Sequence, residues 1–340
     1  MQAATNDTRI HVGFTTHLDL ASEKVGGRVL WATDDFFAEK ENLLKPAPAV
    51  FLPDKYTDKG KWMDGWESRR KRVPGYDSAI IRLGIPGVVR GVNIDTAHFL
   101  GNFPEYASVD AIATEEGDPP FDQSASGWTE IVPRQKLHGG TQNMFAVHSD
   151  RRWTHLRLNI FPDGGVARFR VHGQVVPDVA RLKASGELVD LAAVANGGVV
   201  IQANDAFFGP KDNLILPGRA AHMGEGWETR RKRVPGFDWI VVKLAAPGMI
   251  QKVEVDTNHF KGNYPESCSL DGVRLETEVL DFANAKELPW KELLPRVKLG
   301  PSQQHYFEKE LVEKGPFTHV RLNIFPDGGV SRLRLYGRPV

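Results

Sequence analysis

The sequence predicts an all-β protein built as two tandem jelly-roll β-sandwich domains. Three observations lead there: an internal duplication, a hydrophobic period of two within each copy, and heavy punctuation by glycine and proline. The chain has 340 residues, enough for two domains of roughly 100 to 200 residues, each burying its own core. Residues 65–105 recur as residues 226–266 with 23 of 41 positions identical, which marks a tandem copy of one unit. Both halves also close alike: residues 155–173 and 319–337 share 14 of 19 positions around Leu-Asn-Ile-Phe-Pro-Asp-Gly-Gly-Val. With 33 Gly and 22 Pro, the chain is broken too often for long helices and suits short strands joined by turns.

Taken in chain order, the first repeat is expected over 1–173, a linker over 174–186, and the second repeat over 187–340 (Asp190-Leu191-Ala192 repeats Asp19-Leu20-Ala21). The first copy carries about ten extra residues within 52–64, expected as a longer loop. Val92 and Ile94 alternate with Asn93 and Asp95; Leu156, Leu158 and Ile160 alternate with Arg157 and Asn159; Phe169 and Val171 alternate with Arg168 and Arg170. That period predicts half-buried antiparallel strands. Pro-Asp-Gly-Gly at 162–165 and 326–329 lies between two such runs and predicts a tight hairpin, its glycines supplying positive φ. Helical patterning is confined to 40–44 and 285–287. Each half therefore reads as a sandwich.

Composition narrows the function. Lys plus Arg and Asp plus Glu are both 43, so no global basic charge draws the chain to nucleic acid. A lone cysteine, Cys268, excludes an internal disulfide and a cysteine zinc site and suggests a reducing compartment. The N-terminal stretch has no basic-then-apolar leader pattern and no run approaches the ~18 apolar residues of a membrane span. The expectation is a soluble cytoplasmic protein. No Gly-x-Ser-x-Gly elbow, phosphate-binding Gly-rich loop or His-Glu-x-x-His motif is present. Cys268 matches Ala107 in the other copy, so it reads as a structural thiol.

The polar residues that both copies keep are the site candidates. Arg69, Arg70, Lys71 and Arg72 match Arg230, Arg231, Lys232 and Arg233. Such a run is a solvated face or nucleic-acid patch in isolation, but its guanidinium forks also suit bidentate capture of a small carboxylate. Asp95, His98 and Asn102 match Asp256, His259 and Asn263 in a Gly/Pro-rich loop after a strand, a usual place for site residues. An imidazole with a carboxylate can activate water, protonate a leaving group or bind a divalent metal; alternatively the aspartates cap the turn and the histidines satisfy backbone groups. Glu67 and Glu228, at the head of each basic run, complete the acid/base candidates. No cofactor is firmly implied, although the Asp/His spacing leaves a divalent metal open. Asn159, Asp163, Asn323 and Asp327 read as turn or bulge residues. Arg168, Arg170, Arg332 and Arg334 read as cross-strand partners of acids, and Trp66, Trp227, Trp128 and Trp290 as core anchors. His138, facing Gly300, and His172, facing Tyr336, differ between the copies and could mark a site that one half alone completes.

Gly-Trp-Glu-Thr-Arg-Arg-Lys-Arg-x-Pro-Gly, Asp-Thr-x-His-Phe-x-Gly-Asn-x-Pro and Leu-Asn-Ile-x-Pro-Asp-Gly-Gly-Val-x-Arg-x-Arg-x-x-Gly, each present twice, resemble the allantoicase family. The likeness runs from about residue 19 to 337; Ser68 stands where the motif has Thr, and an insertion precedes Gly65. The resemblance implies galactose-binding-like jelly-roll modules, a homo-oligomer, and hydrolysis of allantoate to ureidoglycolate and urea in purine (allantoin) catabolism. Allantoate carries one carboxylate and two ureido groups on one carbon. On that chemistry Arg72 and Arg233, or neighbours such as Arg69 and Arg230, are expected to hold the carboxylate. Asn102 and Asn263 would engage a ureido group, while Asp95 and Asp256 with His98 and His259 activate water and protonate the departing urea. The competing class is a non-catalytic carbohydrate- or small-anion-binding tandem jelly-roll protein, since fold alone does not fix function; urea release from allantoate separates the two. Neither nucleic acid nor a membrane is expected as a partner.

Overall fold

A long strand, Asp77–Asp95, organises the first module: it runs through a single eight-stranded hydrogen-bonded network, its two halves contributing to the two layers, or sheets, of the sandwich. Its first half pairs with Arg28–Ala32 on one side and Arg152–Phe161 on the other. Beyond the latter, Tyr106–Ile112 and then Thr129–Lys136 extend that sheet. Its second half pairs with Gln142–Ala146 and Arg168–Val175, and Leu18–Asp19 adds to the latter's free edge. The change of sheet falls where pairing with Arg152–Phe161 is interrupted between Arg82 and Gly87. Pro86, which has no N–H for a ladder, occupies that break. These relations come from a computed structural model that describes residues 13–340 apart from 115–116, 178, 185, 278, 280 and 285–287.

The second module repeats the design around Asp238–Asp256, with Pro247 at the corresponding break between Lys243 and Gly248. Two compact units divide between Val176 and Pro177. In each, apolar side chains of facing strands fill the space between the sheets: Val92, Ile94, Leu158, Ile160, Phe169 and Val171 are all fully buried in the first. Among the described residues the chain is almost wholly strand, turn and 3-10 helix, and no helix is long and apolar enough to cross a membrane. The all-β tandem sandwich is therefore what the chain forms.

Four local expectations change. First, Pro-Asp-Gly-Gly is not a hairpin between paired strands. Arg152–Phe161 and Arg168–Val175 each pair with the long strand, mainly along different halves of it, so the turn carries the chain from one layer of the sandwich to the other instead of joining paired strands. On the way Gly165–Val166 pairs with Trp66–Glu67. Second, the alternating strands are not solvated on their polar face: Asn93, Asp95, Arg157, Asn159 and Arg168 are buried. Loops cover them. Arg157 Nη1 donates to Gln123 O at 2.8 Å and its guanidinium lies over the Trp128 ring, while Arg168 is held by Ala47 O, Asp64 O and the Asp64 carboxylate at 2.7 Å. Third, Asn159 is a strand residue in a buried network with Ser78, Ser108 and Asp110, and Asn323 repeats it with Ser269 and Asp271. Fourth, the extra residues of the first copy form a small ribbon, Tyr56–Thr57 against Gly60–Lys61, with the Lys61 ammonium over the Tyr56 ring. The helical turn Lys40–Leu44 is present as a 3-10 helix, a further helix spans Val179–Ala184, and the stretch 285–287 lies outside the described residues.

Candidate active site

Trp66 and Trp227 anchor the site. Each indole is fully buried, and its N–H donates to the carbonyl of Asp34 or Asp205 at 2.8 Å. In a strand the next side chain points to the opposite face, so Glu67 and Glu228 turn outward from that anchor. Glu67 Oε1 accepts from Asn102 Nδ2 at 2.7 Å, and Glu228 Oε1 accepts from Asn263 Nδ2 at 2.6 Å. The amides are fixed in turn: Asn102 O accepts from Gly165 N–H and Asn263 O from Gly329 N–H, both at 2.8 Å. Glycine is required beside them, because Gly164 and Gly328 hold φ of 136° and 139°, and a Cβ there would come within 2.8 Å and 2.7 Å of those carbonyls. The three segments that the duplication preserved thus meet at each carboxylate.

The basic run divides sharply. Arg69 donates to Asp34 at 2.6 Å and stacks over Phe36; Arg230 donates to Asp205 at 2.7 Å and stacks over Phe207. Lys71 binds Asp77, and Lys232 binds Asp238, both at 2.7 Å, while the backbone N–H of each lysine is held by Asp163 or Asp327. Arg70, Arg72, Arg231 and Arg233 are exposed and have no hydrogen bond or ion pair among the described residues. In the second module a cavity of about 640 Å³ is lined by residues that include Phe208, Glu228, Arg231, Asn263, Tyr264 and Asp327. The unpaired cation in that lining is Arg231, matched by Arg70, rather than Arg230 or Arg233.

Burial pushes the Glu67 carboxyl above its ordinary range, against the opposing hydrogen bond from Asn102. One oxygen accepts that amide, so the second is the one available to a ligand. The arrangement can give a proton to, or take one from, a group held beside an unpaired guanidinium.

The other predicted residues lie elsewhere. Asp95 is in the covered face of the second sheet, where burial raises its pKa against the Ala97 N–H bond and the charges of Arg170, Arg168 and His98. Asp256, fully buried, accepts from Asn258 N–H at 2.8 Å and from Arg219 at 3.2 Å. His98 and His259 adopt left-handed φ of 69° and 71°. Their Nε2 atoms meet Ala49 O at 3.1 Å and Ala220 O at 2.9 Å; a carbonyl only accepts, so Nε2 carries the proton. The His98 ring also stacks on Phe51. No hydrogen bond joins Asp95 to His98 or Asp256 to His259 among the described residues. In this structure each imidazole ties its loop to a carbonyl of a neighbouring segment. His259→Asn, which tolerates the left-handed backbone, is expected to leave kcat within about threefold and to cost about 1 kcal/mol in urea unfolding. A hundredfold loss of kcat in a folded variant would return the imidazole to the chemistry.

Among the described residues no group of three or more His, Cys, Asp or Glu side chains is placed to hold a metal ion. Cys268 is buried, its thiol pushed up to about 12 by that burial, and is inert as a nucleophile. Within the basic run the sequence does not rank the arginines; the structure does, because Asp34 and Asp205 hold Arg69 and Arg230 and leave Arg70 and Arg231 unpaired among the described residues.

Fold and site together define a duplicated β-sandwich protein that presents a glutamate–amide pair in each repeat, in the second within a cavity also lined by the unpaired guanidinium of Arg231. A family model described as the allantoicase repeat matches residues 18–176 and again 189–340, and the chain belongs to the allantoicase family. It is 51% identical to a probable allantoicase 2 of Burkholderia pseudomallei over 94% of each chain. To a probable allantoicase of Pseudomonas paraeruginosa it is 49% identical, over 97% of this chain and 98% of the relative. Among solved structures it resembles the allantoicase of Saccharomyces cerevisiae, with a TM-score of 0.78 and 36% identity over 95% of this chain and 93% of that one.

Proposed function

We propose that the chain is an allantoicase, hydrolysing allantoate to (S)-ureidoglycolate and urea, and that the reaction takes place at the glutamate–asparagine–arginine site of the repeats. The observation that carries the placement is the convergence of the preserved segments on one cavity beside Glu228, Asn263 and Arg231. Family membership favours hydrolysis over the alternative of a non-catalytic binding protein.

In this reading Arg231, or Arg70 in the first repeat, holds the substrate carboxylate by a charge-assisted fork. The asparagine keeps the glutamate oriented and its remaining amide hydrogen faces a ureido oxygen. The protonated glutamate gives its proton to the nitrogen of one ureido group. The bond from the central carbon to that nitrogen breaks, its electron pair leaves with urea, and the lone pair of the remaining ureido nitrogen forms a C=N bond. Water then adds through oxygen to the same carbon while the glutamate carboxylate takes back a proton. Allantoate and water are consumed, ureidoglycolate and urea appear, and the carboxyl returns to its starting form. One carboxyl serving both steps explains why a single glutamate is repeated with its amide.

Arg231→Gln with Arg70→Gln is expected to raise KM for allantoate about 10- to 100-fold, the scale of one lost charge-assisted hydrogen bond, while kcat changes less. An unchanged KM in steady-state urea release would remove these arginines from the site. Cytoplasmic action in purine degradation completes the proposal, as does a homo-oligomer, for which exposed Phe207 and Phe208 offer apolar surface. Sedimentation of the purified chain as a monomer would set the oligomer aside. The enzymatic reading itself is tested by colorimetric urea release from allantoate, which a binding protein does not produce.

A further inference from the structure

The covered outer face of the second sheet differs between the modules in a way that the reaction, as proposed above, does not use. In the first module it encloses a cavity of about 450 Å³ lined by Asp19, Asn93, Asp95, Gln142, Arg168 and Arg170. Asn93 is 6% exposed and its Oδ1 has no hydrogen-bond partner. Arg170 Nη1, buried and without a hydrogen bond, is ion-paired with Asp19 Oδ2 at 3.6 Å, as Arg334 is with Asp190 in the second module, so the orphan that differs is Asn93 Oδ1. An unsatisfied buried polar atom costs about 1–3 kcal/mol and calls for an explanation. In the second module the same register places Glu254 at the position of Asn93, Gln304 at that of Gln142 and Tyr336 at that of His172. There Gln304 Nε2 donates to Glu254 Oε1 at 2.7 Å, the Tyr336 hydroxyl lies 3.4 Å from Glu254 Oε2, and Arg219 pairs with Asp256. That copy closes on itself.

We propose that the first module carries a second small-molecule site on this sheet face, for a small carboxylate bearing an N–H or O–H donor. The ligand carboxylate accepts from Arg170 Nη1, and its donor satisfies Asn93 Oδ1. A ureido-carboxylate and a hydroxy-carboxylate share this chemistry. The site is separate from the Glu67–Asn102 pair, so occupancy can report metabolite level without blocking the reaction.

The test uses the full chain carrying Arg70→Gln and Arg231→Gln, which weakens the two reaction sites. It is titrated calorimetrically with N-carbamoylglycine, a ureido-carboxylate lacking the second ureido group, and separately with glycolate. The expected result is one binding site per chain; the tighter probe tells whether a ureido or a hydroxyl donor is preferred. Asn93→Glu supplies the closure found in the second module, with Gln142 able to donate to the introduced carboxylate, and is expected to weaken that binding at least tenfold. The same substitution in the otherwise unaltered chain should keep allantoate turnover within about twofold, with an unchanged circular dichroism spectrum and melting temperature no lower than that of the parent. Absence of binding, or binding indifferent to both Asn93→Glu and Asn93→Leu, overturns the proposal. So does a parallel hundredfold loss of turnover in a folded Asn93→Glu chain, which would make this cavity the reaction site itself.

Discussion

Glu67→Gln combined with Glu228→Gln is expected to lower kcat for allantoate by about 10²- to 10⁴-fold, the range for loss of a positioned general acid/base. Glutamine keeps the volume and retains an oxygen for Asn102 or Asn263 to bond, so folding should be untouched. What disappears is the exchangeable carboxyl proton. Single substitutions divide the labour: if each repeat has its own working site, Glu228→Gln alone leaves activity that rests on Glu67. Burial raises the Glu67 pKa, which gives this residual activity a pH signature. The acid form is present below the raised pKa and is lost as pH rises through it, so protonation of the leaving ureido nitrogen should fail on the alkaline side at a pH above that of an ordinary glutamate, about 4.3. Full turnover by the double variant in steady-state assays would remove the glutamates from the mechanism.

Trp227→Ala is expected to cost about 3–5 kcal/mol in urea-induced unfolding of the second module, the range for truncating a fully buried aromatic side chain. The residue is completely enclosed and its N–H satisfies Asp205 O, so truncation leaves a cavity and an unbonded carbonyl. The consequence reaches the chemistry, because the following residue is Glu228 and the acid of Asp205 holds Arg230. Under conditions where the module remains folded, activity from that repeat should fall together with stability, whereas Trp227→Phe, which fills most of the space, should lose less of both. Trp66→Ala should behave alike in the first module, since its ring is equally buried and donates to Asp34 at the same distance. A stability change under 1 kcal/mol for Trp227→Ala would contradict the anchoring role.

The duplication made the tandem sandwich legible, because identical stretches of sequence impose identical local structure and the strand period is carried by neighbouring residues. The duplication likewise singled out the two segments that the Glu67–Asn102 hydrogen bond joins. What remained hidden depends on residues distant in sequence. Nothing near Arg70 distinguishes it from Arg69; the distinction is made by Asp34, 35 residues away. Asn93 and Asp95 occupy alternate positions that local pattern assigns to solvent, yet the face is covered by a loop near Pro46 and Pro48. The turn at Pro162 and Asp163 was misread because its strands share a neighbour, Asp77–Asp95, instead of each other. His98 and His259 carry residue types suited to catalysis, and their left-handed backbone and carbonyl partners, which depend on a segment distant in sequence, could not be read from the local pattern.

The placement of the reaction is tested most directly by a crystal structure of the Glu67→Gln/Glu228→Gln chain soaked with allantoate. The account predicts substrate density in the cavity beside position 228, with the carboxylate on Arg231 and a ureido group against Asn263. Substrate bound instead against His98 or His259, or solely on the sheet face at Asp95 and Arg170, with the cavity at position 228 empty, would contradict it.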